Sequence, residues 1–207
     1  MMANRLLVLL LLLAPAAAAA QQDTLIAPRA KGSPTAPVTV YEMSDLQCPF
    51  CKQFAEETFP TIEKEYIATG KVRWVFIHMP VPELHPNAAA AAEFATCAMK
   101  QGKFWPAHDR IYATQEKWEA LSNPAPFFAS LIGPLGLRRD TFNACMVSPE
   151  PRRFVRSDAA GAARSGARAT PSFFIEGGMM EGALPITAFR KVLDSIVAVK
   201  SKPKARG

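Results

Sequence analysis

Hydrophobic and polar positions change period several times along the chain. Val38–Met43 (Val-Thr-Val-Tyr-Glu-Met) is β-branched and alternating, and reads as a strand. From Pro49 to about Ala68 the apolar positions are Phe54, Phe59, Ile62 and Tyr66, a helical spacing, with Pro60 expected to kink the helix and Gly70 to stop it. Val72–His78 (Val-Arg-Trp-Val-Phe-Ile-His) is apolar enough to lie inside a sheet. Strand, helix and strand in close succession predict a parallel βαβ unit.

The next stretch changes character. Asn87–Lys100 is alanine-rich, Phe104–Thr114 carries aromatics, and Phe127–Ile132, Arg139–Met146 and Arg152–Arg164 follow as helices punctuated by Pro and Gly. Strand character returns at Ser172–Ile175, with a turn at Gly177-Gly178 and Met179–Glu181 as the returning strand of a hairpin. Pro185–Val199 closes the pattern as an amphipathic helix with Phe189, Val192, Leu193 and Ile196 on one side. The predicted architecture is α/β: a βαβ half (38–79), a helical insertion (80–166) and a ββα half (167–199), with a Pro/Gly-rich leader at 21–37 and a basic tail at 200–207. No internal repeat interrupts it.

Composition supports a packed core. Of 207 residues, 49% are hydrophobic and 20% charged, which argues against disorder and against a coiled coil. The net charge of +6 is mild and partly gathered in the tail, with no basic stripe interleaved with aromatics, so nucleic-acid binding is not indicated. The N-terminus adds a location. Arg5 precedes an unbroken Leu/Val run, Leu6–Leu13, which Pro15 breaks before Ala18-Ala19-Ala20. This pattern predicts a secretory signal peptide cut after Ala20, since the uncharged stretch falls short of the about 20 residues of a spanning helix. An exported, periplasmic protein meets an oxidising compartment in which paired cysteines persist.

The four cysteines therefore carry the most information. Cys48-Pro49-Phe50-Cys51 lies directly between the first strand and its helix. Two intervening residues on a first helical turn let the sulfurs close a small ring. Cys48 then meets the unpaired N–H groups and the dipole of a helix N-terminus, which favour its thiolate, the form that attacks disulfides. Pro49 suits the first helical position, where a missing N–H is harmless. Cys51, one turn in, is expected to be buried and to resolve mixed disulfides. A static disulfide or half of a zinc site are the alternatives, but Cys97 and Cys145 are isolated and no second Cys-x-x-Cys exists to complete a metal site. In an exported chain Cys97 and Cys145 are expected to form a structural disulfide. The alternatives for them are two buried thiols or a regulatory bond. Closure of so long a loop is worth up to about 4 kcal/mol in the chain-entropy account.

Taken together, Ser44-Asp45 before Cys48-Pro49-Phe50-Cys51, Gln101–Trp105 with His108-Asp109, and Ala169-Thr170-Pro171-Ser172-Phe173-Phe174 resemble the thioredoxin superfamily, and within it the DsbA-like thiol:disulfide oxidoreductases. The resemblance covers about Gly32–Val199. It implies a cis peptide at Pro171 packed against the redox cysteines, with Thr170 offering its backbone to an extended substrate peptide. It implies an acid at Glu42, which strand parity places with Val38 and Val40. Glu42 is then either a buried carboxylate that exchanges a proton with Cys51 or a partly solvated strand residue. It implies cysteine-containing exported proteins as substrates, a membrane acceptor of the DsbB type as partner, a monomer, and no metal or organic cofactor. Phe50 departs from the family, whose best-known members have His there. Phe offers a thiolate no charge, so Cys48 is expected to titrate between about 3.5 and about 8.5, and the protein to be a weaker oxidant than DsbA, whose potential is about −120 mV. A reductase or isomerase of the same fold, and a Cu(I)-binding module using Cys48, Cys51 and nearby Met, are the competing readings. His78, His85 and His108 show no ligand spacing and read as structural, and Phe104, Trp105, Tyr112 and Trp118 read as core of the helical block.

Overall fold

The computed structural model describes residues 26–200, so the predicted signal peptide and most of the basic tail lie outside the described residues. Five strands form one mixed sheet: β1 (Ala30–Lys31), β2 (Val38–Ser44), β3 (Val72–His78), β4 (Ser172–Ile175) and β5 (Gly178–Glu181), in the order β1-β3-β2-β4-β5. β2 and β3 run parallel through the crossover helix, as the strand–helix–strand pattern predicts, and every other pair is antiparallel. Glu42 pairs with Phe76 on one side and Phe173 on the other, so the two halves of the fold meet across β2.

Alternation along β2 separates two layers. Val38 and Val40 pack with Trp74, Phe173, Phe54 and Phe189 beneath the crossover helix α1 (49–67) and the C-terminal helix α7 (Ile186–Lys200). Met43 packs on the other face against Ala162 and Ala167. Between β3 and β4 come α2 (Ala88–Met99), α3 (Phe104–Ala113), α4 (Ala125–Ser130), α5 (Arg139–Val147) and α6 (Glu150–Arg164). They enclose a second core that includes Phe94, Phe104, Tyr112, Trp118 and Phe142, and to which Cys48 and Cys51 also belong. The dithiol therefore sits where the sheet half meets the helical block.

Three local features refine the sequence reading. α1 absorbs Pro60 by widening. The Phe59 N–H bonds back five residues to Phe54 and the Ala68 N–H five residues to Glu63, while Phe59 keeps helical dihedrals (φ −59°, ψ −38°). A wide turn dispenses with the donor that proline lacks. The hairpin turn is Glu176-Gly177, one residue earlier than Gly177-Gly178, because Ile175 pairs with Gly178 and the two loop residues have φ of 48° and 87°, the pair of positive values that a tight two-residue hairpin demands. Part of the 21–37 segment joins the fold: β1 pairs with β3, which makes β3 internal, and buried Arg29 forms an ion pair with Asp158 of α6 beneath the Phe154 ring. Gly32 follows β1 with φ of +91°, and a side chain there would meet the Val72 carbonyl at 2.5 Å, so only glycine lets this segment lie on the start of β3.

Candidate active site

Cys48 is the residue that starts α1. Its own backbone is extended (φ −68°, ψ 126°), Pro49 occupies the first helical position, and Cys51 follows one turn in. Both sulfurs are reduced and both residues are buried, Cys51 completely, whereas Phe50 stands 60% exposed beside them. The Cys48 thiol donates to the Thr170 carbonyl at 3.4 Å, and the Thr170–Pro171 peptide is cis. Segments 122 residues apart thus share one sulfur.

The two thiols are driven apart electrostatically. The Cys51 thiol, as hydrogen-bond donor, lowers the Cys48 pKa most, against burial. With help from Thr170 and the Phe50 and Cys51 amides it brings Cys48 to about 6, within the window expected from a thiolate at a helix start opposite Phe. Burial first, then the neighbouring Cys48 sulfur, push the Cys51 thiol well above its ordinary range. A dithiol split in this way has one attacking sulfur, and one sulfur that departs or resolves only with a proton in hand.

Glu42 lies in the interior, 1% exposed. Trp74 Nε1 donates to its Oε2 at 2.8 Å. Burial raises its pKa, against the His108 charge, the Trp74 N–H and the Ser44 hydroxyl. The partly solvated alternative for this strand residue is thereby excluded. Cys97 and Cys145 are joined in a disulfide that ties α2 to α5 within the helical core.

Sequence reasoning passed over the frame that holds the dithiol. Asp45 is fully buried at its side chain and serves four neighbours. Its N–H reaches Cys51 Sγ at 3.5 Å, its Oδ1 accepts from the Gln47 N–H (2.7 Å), and its Oδ2 accepts from the Val81 N–H (2.8 Å) and lies 2.9 Å from His85 Nδ1. Gln115 Nε2 donates to the Leu46 and Cys48 carbonyls, and Gln47 Oε1 accepts from the Asn87 N–H at the start of α2. The available signal was an Asp two residues before Gln47 in a short turn, an arrangement whose side chain closes on the backbone two residues on. Among the described residues, no group of three or more His, Cys, Asp or Glu is placed to hold a metal ion, and no helix is long and apolar enough to cross a membrane.

Comparison with known proteins agrees with this geometry. The profile of the family described as "Thioredoxin" matches residues 24–195. The chain is 30% identical over 155 residues to the "Probable disulfide bond formation protein D" of Bacillus anthracis, covering 72% of this chain and 69% of that one. It is also 31% identical over 175 residues to the "Na(+)/H(+) antiporter NhaA 3" of Salinispora tropica, but there it covers 84% of itself and only 26% of the relative. The chain thus spans about a quarter of the length of the antiporters it matches. Among solved structures it superposes on alpha-DsbA1 of Wolbachia pipientis with a TM-score of 0.73 at 25% identity, covering 83% of this chain and 92% of that one. On oxidised BdbD of Bacillus subtilis the TM-score is 0.75 at 20% identity, with 85% and 95% covered, a likeness of fold.

Proposed function

The chain belongs to the thioredoxin family, and from that premise we propose that it is a periplasmic thiol:disulfide oxidoreductase that forms disulfides in exported proteins. The observation that carries this reading is the pairing of a Cys48 thiol of pKa about 6 with a buried, high-pKa Cys51, under the carbonyl of Thr170. A substrate thiolate attacks Cys48 of the oxidised pair. The Cys48–Cys51 bond breaks, a substrate–Cys48 disulfide forms, and the electron pair leaves on Cys51. Glu42, whose pKa burial raises, supplies the proton that makes Cys51 a thiol. A second thiolate of the same substrate then attacks the substrate sulfur of the mixed disulfide and releases Cys48 as thiolate, a good leaving group at neutral pH because its pKa is about 6. Two electrons pass from the substrate dithiol to the protein, and no cofactor enters. A membrane acceptor of the DsbB type would return the dithiol to the disulfide.

Substrate docking follows from the same elements. The Thr170 backbone beside the sulfur offers main-chain pairing to an extended peptide, and exposed Phe50 with Pro49 supplies apolar contact next to Cys48. Equilibration of the protein in glutathione buffers tests the direction of flow. A potential near or above about −180 mV is expected for a net oxidant, and a value near about −270 mV would make it a reductant instead.

A further inference from the structure

On the proposed mechanism each turnover moves a proton between Cys51 and Glu42, and Glu42 is only 1% exposed, with little surface through which to exchange it with water. Its Oε2 is taken by the Trp74 N–H, and its Oε1 has no hydrogen-bond partner among the described residues. Among the described residues, His78 Nδ1 and His108 Nε2 are likewise buried without a hydrogen-bond partner. His108 of α3 is 2% exposed, its ring packs edge-on against Phe76, the β3 residue paired with Glu42, and its Nε2 is buried without a partner among the described residues. The opposite ring nitrogen, Nδ1, lies 2.8 Å from Asp109 Oδ1. Burial disfavours the Asp109 charge, but the His108 hydrogen bond and the His108 and Lys31 charges outweigh it and hold the carboxyl below its usual range. An ionised carboxylate only accepts, so Nδ1 carries the hydrogen of that bond and Nε2 is left as the basic nitrogen.

Asp109 also marks the way out. Its side chain is 66% exposed, and with His108 it lines a cavity of about 230 Å³ between α1, α3 and β1, bordered also by Lys31, Glu56, Glu63 and Tyr112. The charged and titratable groups around His108 are thus Glu42 from β2, His78 from β3, Lys31 from β1, Glu56 and Glu63 from α1, and Asp109 and Tyr112 from its own helix. His78 is held neutral, chiefly by burial and then by the Arg29 and His108 charges, so it does not compete for the proton.

We propose that His108 is the relay through which Glu42 exchanges its proton with the Asp109-lined cavity, so that the resolving thiol is served from the flank of the molecule and not past the bound substrate. After Glu42 has protonated Cys51, the Nε2–H form of His108 delivers that proton to the Glu42 carboxylate while Nδ1 recovers one at the cavity side, which leaves the Nδ1–H form of the reduced protein. The reverse transfer accompanies reoxidation, and the heavy-atom bonds of the exchange are untouched. This rests on the reading of Glu42 as proton partner of Cys51.

The test is the rate at which a reduced peptide dithiol reduces the oxidised protein, followed by stopped-flow tryptophan fluorescence from pH 5 to 9. A directly positioned proton donor is worth about 10²–10⁴-fold, so Glu42→Gln is expected to slow the reaction strongly and His108→Gln, one step removed, by about tenfold. Imidazole, small enough for the cavity, is expected to restore the His108→Gln rate and to leave Glu42→Gln slow, and the double variant should be no slower than Glu42→Gln alone. A slow Glu42→Gln beside a His108→Gln of unchanged rate would overturn the relay and leave the role of Glu42 standing. Additive losses, or a loss that imidazole leaves in place, would equally overturn it. An unchanged Glu42→Gln would remove the premise itself. Should His108→Gln fail to fold, Asp109→Asn at the exposed end keeps the question open to test, with a smaller imidazole-restored loss expected and an unchanged rate counting against the relay.

Discussion

Position 50 brings no charge to the Cys48–Cys51 pair. Phe50 stands exposed beside Cys48 and brings no charge to the thiolate, whose stabilisation comes instead from the Cys51 thiol, Thr170 and two helix amides. Because the Cys48 pKa is lowered, the stability it lends the reduced protein is complete above the ordinary value of 9.0 and is lost as pH falls through about 6. Thiol alkylation of the reduced protein should therefore titrate with a midpoint of about 6, read as rate against pH. Phe50→His adds a cation at that point. One unit off the Cys48 pKa corresponds to about 1.4 kcal/mol, and so to a potential raised by about 30 mV in the same glutathione titration. A variant whose midpoint and potential both stay put would show that position 50 does not reach the thiolate. Much of this was legible in the chain. A Cys-Pro-x-Cys after a strand places one sulfur at a helix start and one a turn inside, and that is physics of spacing. Asp45 was not legible in the same way, because its four partners come from three segments brought together only by folding.

At the scale of elements, α6 does more than cover the sheet. Asp158 reaches Arg29 across the molecule and also accepts the His78 N–H at the end of β3, at 3.0 Å. One carboxylate thus holds the Arg29 segment before β1, the end of β3 and the last helix of the insertion. Removing one partner of a buried ion pair leaves an uncompensated charge, so Asp158→Ala is expected to cost about 3–5 kcal/mol in urea unfolding. A loss below 1 kcal/mol would mean that the Arg29 segment is held by other contacts. The helices of the insertion were readable from their apolar spacing, and their ends fall within two residues of expectation because Pro and Gly punctuate them. β1 was not readable: two residues, Ala30 and Lys31, carry no periodicity, and only pairing with β3 makes them a strand.

Over the whole molecule, the four cysteines fall into one bonded pair and one reduced pair. Cys97–Cys145 closes a 48-residue loop inside the helical block, while Cys48 and Cys51 stand at its border with the sheet. Replacing both Cys97 and Cys145 by Ala is expected to lower unfolding stability by up to about 4 kcal/mol, with the Cys48 alkylation midpoint unmoved. A shifted midpoint would show that the two pairs communicate. The overall architecture was legible because the period of the apolar pattern changes where the fold changes. The meeting of its two halves at Thr170 was not, since the residues between them say nothing of how the chain returns.

That return has a consequence for biogenesis. The nucleophile and the carbonyl that covers it are separated by 122 residues of chain. At about 5–20 residues per second of synthesis, Cys48 and Cys51 precede Thr170 by about 6–24 s. In that interval the nascent protein carries an uncovered thiol pair, followed by Cys97 and then Cys145, and every wrong pairing among the four is open to it. The product of such a gene needs its own cysteines kept apart until Thr170 arrives.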